Sequence, residues 1–416
     1  MTRERSDRDL AALLEAWMDE VAPTAIPVPV LEEAFARTMS ASQVRLYPWE
    51  RAVRRTSPSR RIAGFALAAT AALLVAVLAF GALGGGLGVT PSPSPTPSAT
   101  PVPPSSPSPP AIVPGPITPT ASIPADQPMA LASDGTSVWI LTATGLVQRI
   151  DPATNKLGAA ISTGATTDAY QGISADRSGV WVTESNTATL FRVDPVAHKV
   201  VTTIPVGNTP KGVLTTGSAV WVADVRSGTV LRIDPATNKV VATVTVGPTG
   251  DSGPNWLASG LGSIWVGIPN NQTVVRIDPT TNAIQATIPI PVEASPCGSF
   301  AITPTAVWIT SCGGPPTVTH IDPTTNAVVG LATLDGTAYT PAVIDGAPWV
   351  SVDTSPSLPG ALNRIAAATN AVDLKLVPGP TFGGGGDMVV AAGSVWVNDG
   401  GNNRILRLPL AGFTPG

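Results

Sequence analysis

The chain has 416 residues, with 44 prolines, 40 glycines, only 12% charged residues and a formal net charge of −4. Residues 1–61 carry ten Lys/Arg against nine Asp/Glu, and the remainder carries fourteen against nineteen. So weak an acidic excess, spread over a long chain, excludes the electrostatic footprint of a duplex nucleic-acid or anionic-lipid binder, and no nucleic-acid partner is expected.

Residues 1–61 begin with a helical pattern. Leu10, Leu13, Leu14, Trp17, Met18 and Val21 fall on one face at helical spacing. Ser6 with Asp9 resembles a capping box at the start, and Pro23 ends the run. Leu31, Ala34, Phe35 and Met39 mark a second short helix. Two such helices bury too little apolar surface to be robust alone. The expectation is a helical segment beside the membrane, with a docking site for a cytoplasmic protein as the functional alternative.

Ile62 to Leu83 are twenty-two residues without a charge. At about 1.5 Å rise per residue they can cross a hydrocarbon core of roughly 30 Å. Arg51, Arg54, Arg55, Arg60 and Arg61 precede them, and the next charge on the other side is Asp126. The positive-inside rule then predicts a single-pass transmembrane helix at 62–83, with 1–61 cytoplasmic and the rest extracellular. A cleaved signal peptide is disfavoured by the sixty-residue leader and by the absence of a cysteine just after the span. This layout resembles membrane-bound anti-sigma factors. Residues 1–61 hold no His or Cys, so the zinc-binding form of that cytoplasmic domain is not expected.

Residues 84–116 read as a Pro/Ser/Thr-rich stalk, and Thr90–Pro119 alone holds thirteen prolines. Such a stretch favours polyproline II, and at about 3.1 Å per residue it reaches on the order of 90 Å.

From residue 117 to 416 the chain repeats. Trp139, Trp181, Trp221, Trp265, Trp308, Trp349 and Trp396 recur at spacings of 42, 40, 44, 43, 41 and 47. About ten residues after most of them comes an Arg-apolar-Asp-Pro-x-Thr-Asn unit, as in Arg149–Asn155, Arg232–Asn238 and Arg276–Asn282. The sixth copy has decayed to Arg364-Ile365-Ala366-Ala367-Ala368-Thr369-Asn370. The Asp-Pro-x-Thr-Asn run is turn chemistry: Asp accepts backbone N–H bonds, Pro presets φ and Asn tolerates the left-handed region. It needs no metal, and one carboxylate per repeat gives no ligand cluster.

Seven repeats of 40–45 residues with four strands each predict an all-β, seven-bladed β-propeller. The last repeat offers only Asn403–Leu408 after its tryptophan strand, so Thr118–Pro124 is expected to supply the missing outer strand and close the ring. Each tryptophan buries about 150–250 Å², roughly 4–6 kcal/mol of transfer free energy, which explains how a chain poor in Leu and Phe holds a core.

The units Val-Trp-Val, Arg-Ile-Asp-Pro-Ala-Thr-Asn-Lys-Val-Val-Ala-Thr and Ile-Pro-Val-Gly resemble the YVTN-repeat β-propellers of bacteria and archaea. That resemblance implies a surface-exposed binding or interaction module without a cofactor. Its partner would be a cell-wall component, a peptide or a protein at one propeller face. Streptogramin (virginiamycin B) lyases are also seven-bladed propellers, and resemblance to them would imply a histidine and a glutamate near magnesium. The only histidines replace repeat-frame residues: His320 stands at the strand arginine and His198 at the turn asparagine. No catalytic set and no metal ligands are therefore assigned.

Cys297 and Cys312 flank a strand, a turn at Pro304-Thr305 and the fifth tryptophan strand. Pairing about that turn sets them opposite one another, so a disulfide is expected outside the cell, with two buried free thiols as the alternative. The loops leading into the inner strands surround the channel mouth, and Gln171, Lys211, Asn255, Thr340 and Asp387 align there. The next position is Ala130, Gly172, Gly212 and Ser299 in other repeats but Trp256 in the fourth. Trp256 is either a contact anchor at the mouth or a filler beside the longer 247–254 loop.

Overall fold

The computed structural model describes residues 112–165, 172–312, 314–354 and 358–414. The expected cytoplasmic helices, the span 62–83 and the stalk up to residue 111 lie outside them. Among the described residues no helix is long and apolar enough to cross a membrane.

The repeats fold as seven antiparallel sheets. In the third, the strands are Pro210–Thr215, Val220–Asp224, Thr229–Asp234 and Lys239–Thr245, running from the channel outward. Burial follows this order. All five residues of Val220–Asp224 are buried, as a strand with sheet neighbours on both sides requires. The outermost strand is mostly exposed, with Val244 its one buried residue.

Seven apolar clusters hold the ring, one at each junction between sheets. Trp221 of the third blade packs with Ile264, Val266 and Ile277 of the fourth. Trp396 of the seventh packs with Leu131, Ile140 and Ile150 of the first. Each tryptophan thus fills the gap to the following blade, and six of the seven are fully buried. The tryptophan period sets the blade period because one large side chain is needed per interface.

Closure follows the expected route. Ala121–Pro124 pairs antiparallel with the last strand, Arg404–Pro409, in the register Ile123↔Ile405. Gly115–Pro116, placed at the end of the stalk on sequence, belongs to the ring instead. It pairs in parallel with Ala371–Val377, the outer strand of the sixth blade. The segment 115–124 therefore straps two blades together.

The Arg-x-Asp-Pro-x-Thr-Asn unit does more than close a hairpin. In every blade the strand arginine, or His320, faces the tryptophan directly across the ladder. The guanidinium of Arg192 lies 5.1 Å from the ring of Trp181, and Arg276 lies 5.0 Å from Trp265. Its far nitrogen then crosses to the next blade. Arg192 Nη1 donates to Pro235 O at 2.7 Å and Asn238 Oδ1 at 2.9 Å, and Arg276 Nη1 to Pro323 O and Asn326 Oδ1 at 2.7 and 3.1 Å. The turn asparagine has φ of +56° at Asn238 and +53° at Asn326, which Asn adopts more readily than most residues. One residue thus supplies both the turn and the acceptor for its neighbour.

His320 keeps the clasp. Its ring stacks on Trp308 at 4.0 Å and Nδ1 meets Asn370 Oδ1 at 2.7 Å. His198, with φ +51°, keeps the turn and loses the clasp: Arg149 donates to Ser137 Oγ at 2.8 Å within its own blade. At the sixth junction no such turn follows, and Arg364 pairs with Asp373 at 2.8 Å.

Candidate functional site at the channel mouth

A four-stranded meander puts the loops leading into the inner strands, and those leaving the tryptophan strands, at one end of the ring. The clasps lie at the other. The mouth is therefore built by the residues just before each inner strand.

Register against the tryptophans corrects the alignment made on sequence. The inner residues facing Trp221, Trp265, Trp349 and Trp396 are Leu214, Ala258, Ala342 and Val389. Counting back two gives Gly212, Trp256, Thr340 and Asp387; counting back three gives Lys211, Asn255, Tyr339 and Gly386. Thr340 and Asp387 thus share a tier with Trp256, one step deeper than Lys211 and Asn255. Thr340 and Asp387 stand nine residues before their tryptophans, whereas Lys211 and Asn255 stand ten before theirs. Gln171 lies outside the described residues.

On one side of the mouth Lys211 and Trp256 come together, with Nζ 5.3 Å from the ring. Water reaches part of both side chains. Protein nevertheless surrounds the amine, and burial pushes Lys211 down to about 8. Gly212 makes this approach possible. Its N–H donates to Asn255 O at 3.0 Å, and a Cβ there would meet that oxygen at 2.5 Å. Asn255 Nδ2 reaches on to Cys297 O at 3.2 Å, so its carboxamide ties the fourth blade to the fifth.

The other side is a strut. Thr340 Oγ1 donates to Asp387 Oδ1, and Leu131 N donates to Asp387 Oδ2 at 3.0 Å. One carboxylate thereby joins the sixth, seventh and first inner strands. Both donors are uncharged, and desolvation raises the Asp387 pKa above its ordinary value. Tyr339 packs against Gly385, where a Cβ would meet the ring at 2.5 Å.

Cys297 and Cys312 form the expected disulfide, with Cα atoms 5.5 Å apart. The fifth ladder pairs Phe300↔Ile309, and continuing that register sets 297 opposite 312.

Three buried acids at this end escaped the sequence reading. Glu184, Asp224 and Asp399 each stand three residues after a tryptophan and have no more than 1% exposure. Glu184 accepts from Asn186 N and Thr187 N, Asp224 from Asn208 N and Thr209 N, and Asp399 from Arg404 Nε at 2.7 Å. They pin the loops around the mouth. A carboxylate at a position otherwise filled by Thr, Ile, Ser or Val was the available signal.

No protein-family model matches the chain, and no curated protein matches its sequence. Among solved structures it is similar to a streptogramin B lyase, at TM-score 0.56 and 17% identity over 68% of this chain and 94% of that one. It is similar also to hydrazine synthase of Kuenenia stuttgartiensis, at TM-score 0.56 and 15% identity over 68% and 96%. The WD40 domain of Neurospora crassa Pan2 aligns at TM-score 0.52 and 14% identity over 68% and 89%. At such identities the likeness is one of fold.

Proposed function

We propose that this chain is a membrane-tethered binding or sensing module of the YVTN-repeat type, which recognises a cell-wall component, peptide or protein at its channel mouth. The observation that carries the reading is the Lys211–Trp256 pair. Six of the seven positions equivalent to Trp256 hold Ala, Gly, Gly, Ser, Thr and Asp, and the one large aromatic side chain sits half-exposed against an amine. An aromatic face beside a cation is an anchor suited to a ligand with both apolar and polar surface. The tether rests on the uncharged run 62–83, the five arginines before it and the proline-rich stalk after it. Residues 1–61 would then lie in the cytoplasm, free to meet a protein partner.

The lyase alternative draws support from fold likeness alone. Both histidines lie away from the mouth, His320 in a clasp with Asn370 and His198 in an outer turn.

The test is a thermal-shift screen of the protein against soluble muropeptides, oligosaccharides, proline-rich peptides and divalent metals, with Trp256→Ala and Lys211→Ala in parallel. A stabilising probe whose shift disappears in both variants supports recognition at the mouth. A shift unchanged in both variants, or turnover of a cyclic depsipeptide by the wild type, overturns it.

A further inference from the structure

The sixth blade departs from the repeat frame at one cross-strand pair. In the second to fifth blades the residue preceding the strand arginine or histidine pairs with the outer strand as Phe191↔Thr203, Leu231↔Thr243, Val275↔Thr287 and Thr319↔Leu331. In the sixth the same pair is Asn363↔Lys375. Direct partners in an antiparallel ladder point to the same face, so amide and amine are neighbours. A third polar residue joins them from the loop between the fifth and sixth blades. Asp335 Oδ2 accepts from Lys375 Nζ at 2.5 Å, and Asp335 Oδ1 from Asn363 Nδ2 at 3.4 Å.

Burial makes two of the three unusual, while the Asp335 side chain is half exposed. Asn363 is inaccessible, and among the described residues its Oδ1 has no hydrogen-bond partner. The Lys375 side chain is 16% exposed. An ion pair of Lys375 with Asp335 would need no carboxamide, and a buried acceptor left without a partner is destabilising.

The geometry points to a self-catalysed cross-link: Lys375 and Asn363 become joined by an amide bond, with Asp335 carrying the proton. Asp335 takes a proton from the Lys375 ammonium. The neutral acid is then a donor, and rotation of the Asn363 carboxamide brings Oδ1 round to accept it, which polarises the carbonyl. Lys375 Nζ attacks Cγ and the Nζ–Cγ bond forms; Nζ then passes one hydrogen to Nδ2, the Cγ–Nδ2 bond breaks, and the ammonia leaves with the proton that Asp335 carried, as ammonium. No oxidant or co-reactant is required. The reaction runs once per molecule, so a small neutral fraction of Lys375 suffices. The product fastens the outer strand of the sixth blade, where Gly115–Pro116 also attaches. This inference is independent of the ligand reading.

The experiment is tryptic mapping of the reduced, alkylated full chain made in an unrelated host. The expected result is one species joining residues 277–364 to 365–404, uncut after Lys375 and lighter by one ammonia, about 17 Da. Separate peptides 277–364 and 365–375 at full mass overturn the proposal. Asp335→Asn should give the unlinked peptides, and a link that persists in that variant overturns the role given to Asp335.

Discussion

Arg407 Nη1 donates to Asn155 Oδ1 at 2.8 Å across 252 residues of sequence, and to Pro152 O at 2.6 Å. The last blade thus grips the first with the same clasp that joins the second blade to the third, the third to the fourth and the fourth to the fifth, its guanidinium 4.9 Å from Trp396. The first junction is the natural control, because the turn position there is His198 rather than asparagine and Arg149 donates to Ser137 of its own blade.

Arg407→Ala should therefore cost more than Arg149→Ala. Losing charge-assisted bonds and a cation–π contact is worth about 2–3 kcal/mol, whereas Arg149 loses chiefly its bond to Ser137. Installing the missing acceptor with His198→Asn should stabilise by about 1 kcal/mol, since Asn tolerates the +51° φ at that site. Urea midpoints of His198→Asn, Arg149→Ala and the double variant measure this. A double-mutant cycle with no coupling between the two substitutions would remove the clasp from the account of stability.

Two sets of aspartates should give pH dependence of opposite sign. Asp151, Asp234 and Asp322 are held below their ordinary pKa by backbone N–H donors, then by the turn threonine. Their contribution is fully present above the unfolded value of about 3.9 and is lost as pH falls through the lower folded values. Asp387 is raised, so the folded state holds its proton more tightly and stability falls as pH climbs from about 3.9 through the folded value. Asp387→Asn should remove that decline and leave the neutral-pH Tm level or higher. Asp387→Ala should lower Tm, because Leu131 N and Thr340 lose their acceptor. Calorimetric scans from pH 3 to 8 separate the cases.

Reduction of Cys297–Cys312, which closes a loop with a sequence separation of 15, should cost about 3 kcal/mol by chain entropy. Cys297 O also accepts from Asn255. The double serine variant should therefore perturb fluorescence from Trp256 as well as lower the urea midpoint. Unchanged emission would show that Asn255 holds its place without the disulfide.

The ring was legible because its determinants are periodic: one tryptophan per interface and one Asp-Pro-x-Thr-Asn turn per blade. The disulfide followed from simple counting about Pro304-Thr305. The clasps were not legible, because the acceptor of Arg192 lies 46 residues on, in a turn that local chemistry already explained. The tier of Thr340 and Asp387 was missed for another reason. They stand nine residues before their tryptophans where Lys211 and Asn255 stand ten, and a one-residue slip turns a wall residue into a mouth residue. Lys375, Asn363 and Asp335 look unrelated until the ladder aligns two of them and a loop brings the third.

The sixth junction shows how the fold manages where the repeat runs out. No turn follows from the seventh blade, whose outer strand comes from the start of the ring, so Arg364 has no asparagine to grip. Phe413 takes that place. It is buried in the short turn Leu410–Phe413 and meets Trp349 edge-on at 4.9 Å and 78°. Ile117, on the strap, belongs to the same cluster. Phe413→Ala should cost about 3–5 kcal/mol, as for other large-to-small core changes. It should also loosen the strap and the last turn together, because Ile117 and Phe413 pack in one apolar cluster. Hydrogen exchange would then accelerate at Ile117, whose N–H is bonded to Val377 O, before it does at Trp221 or Trp265. Uniform acceleration around the ring would instead mean that the sixth junction is no weaker than the clasped ones.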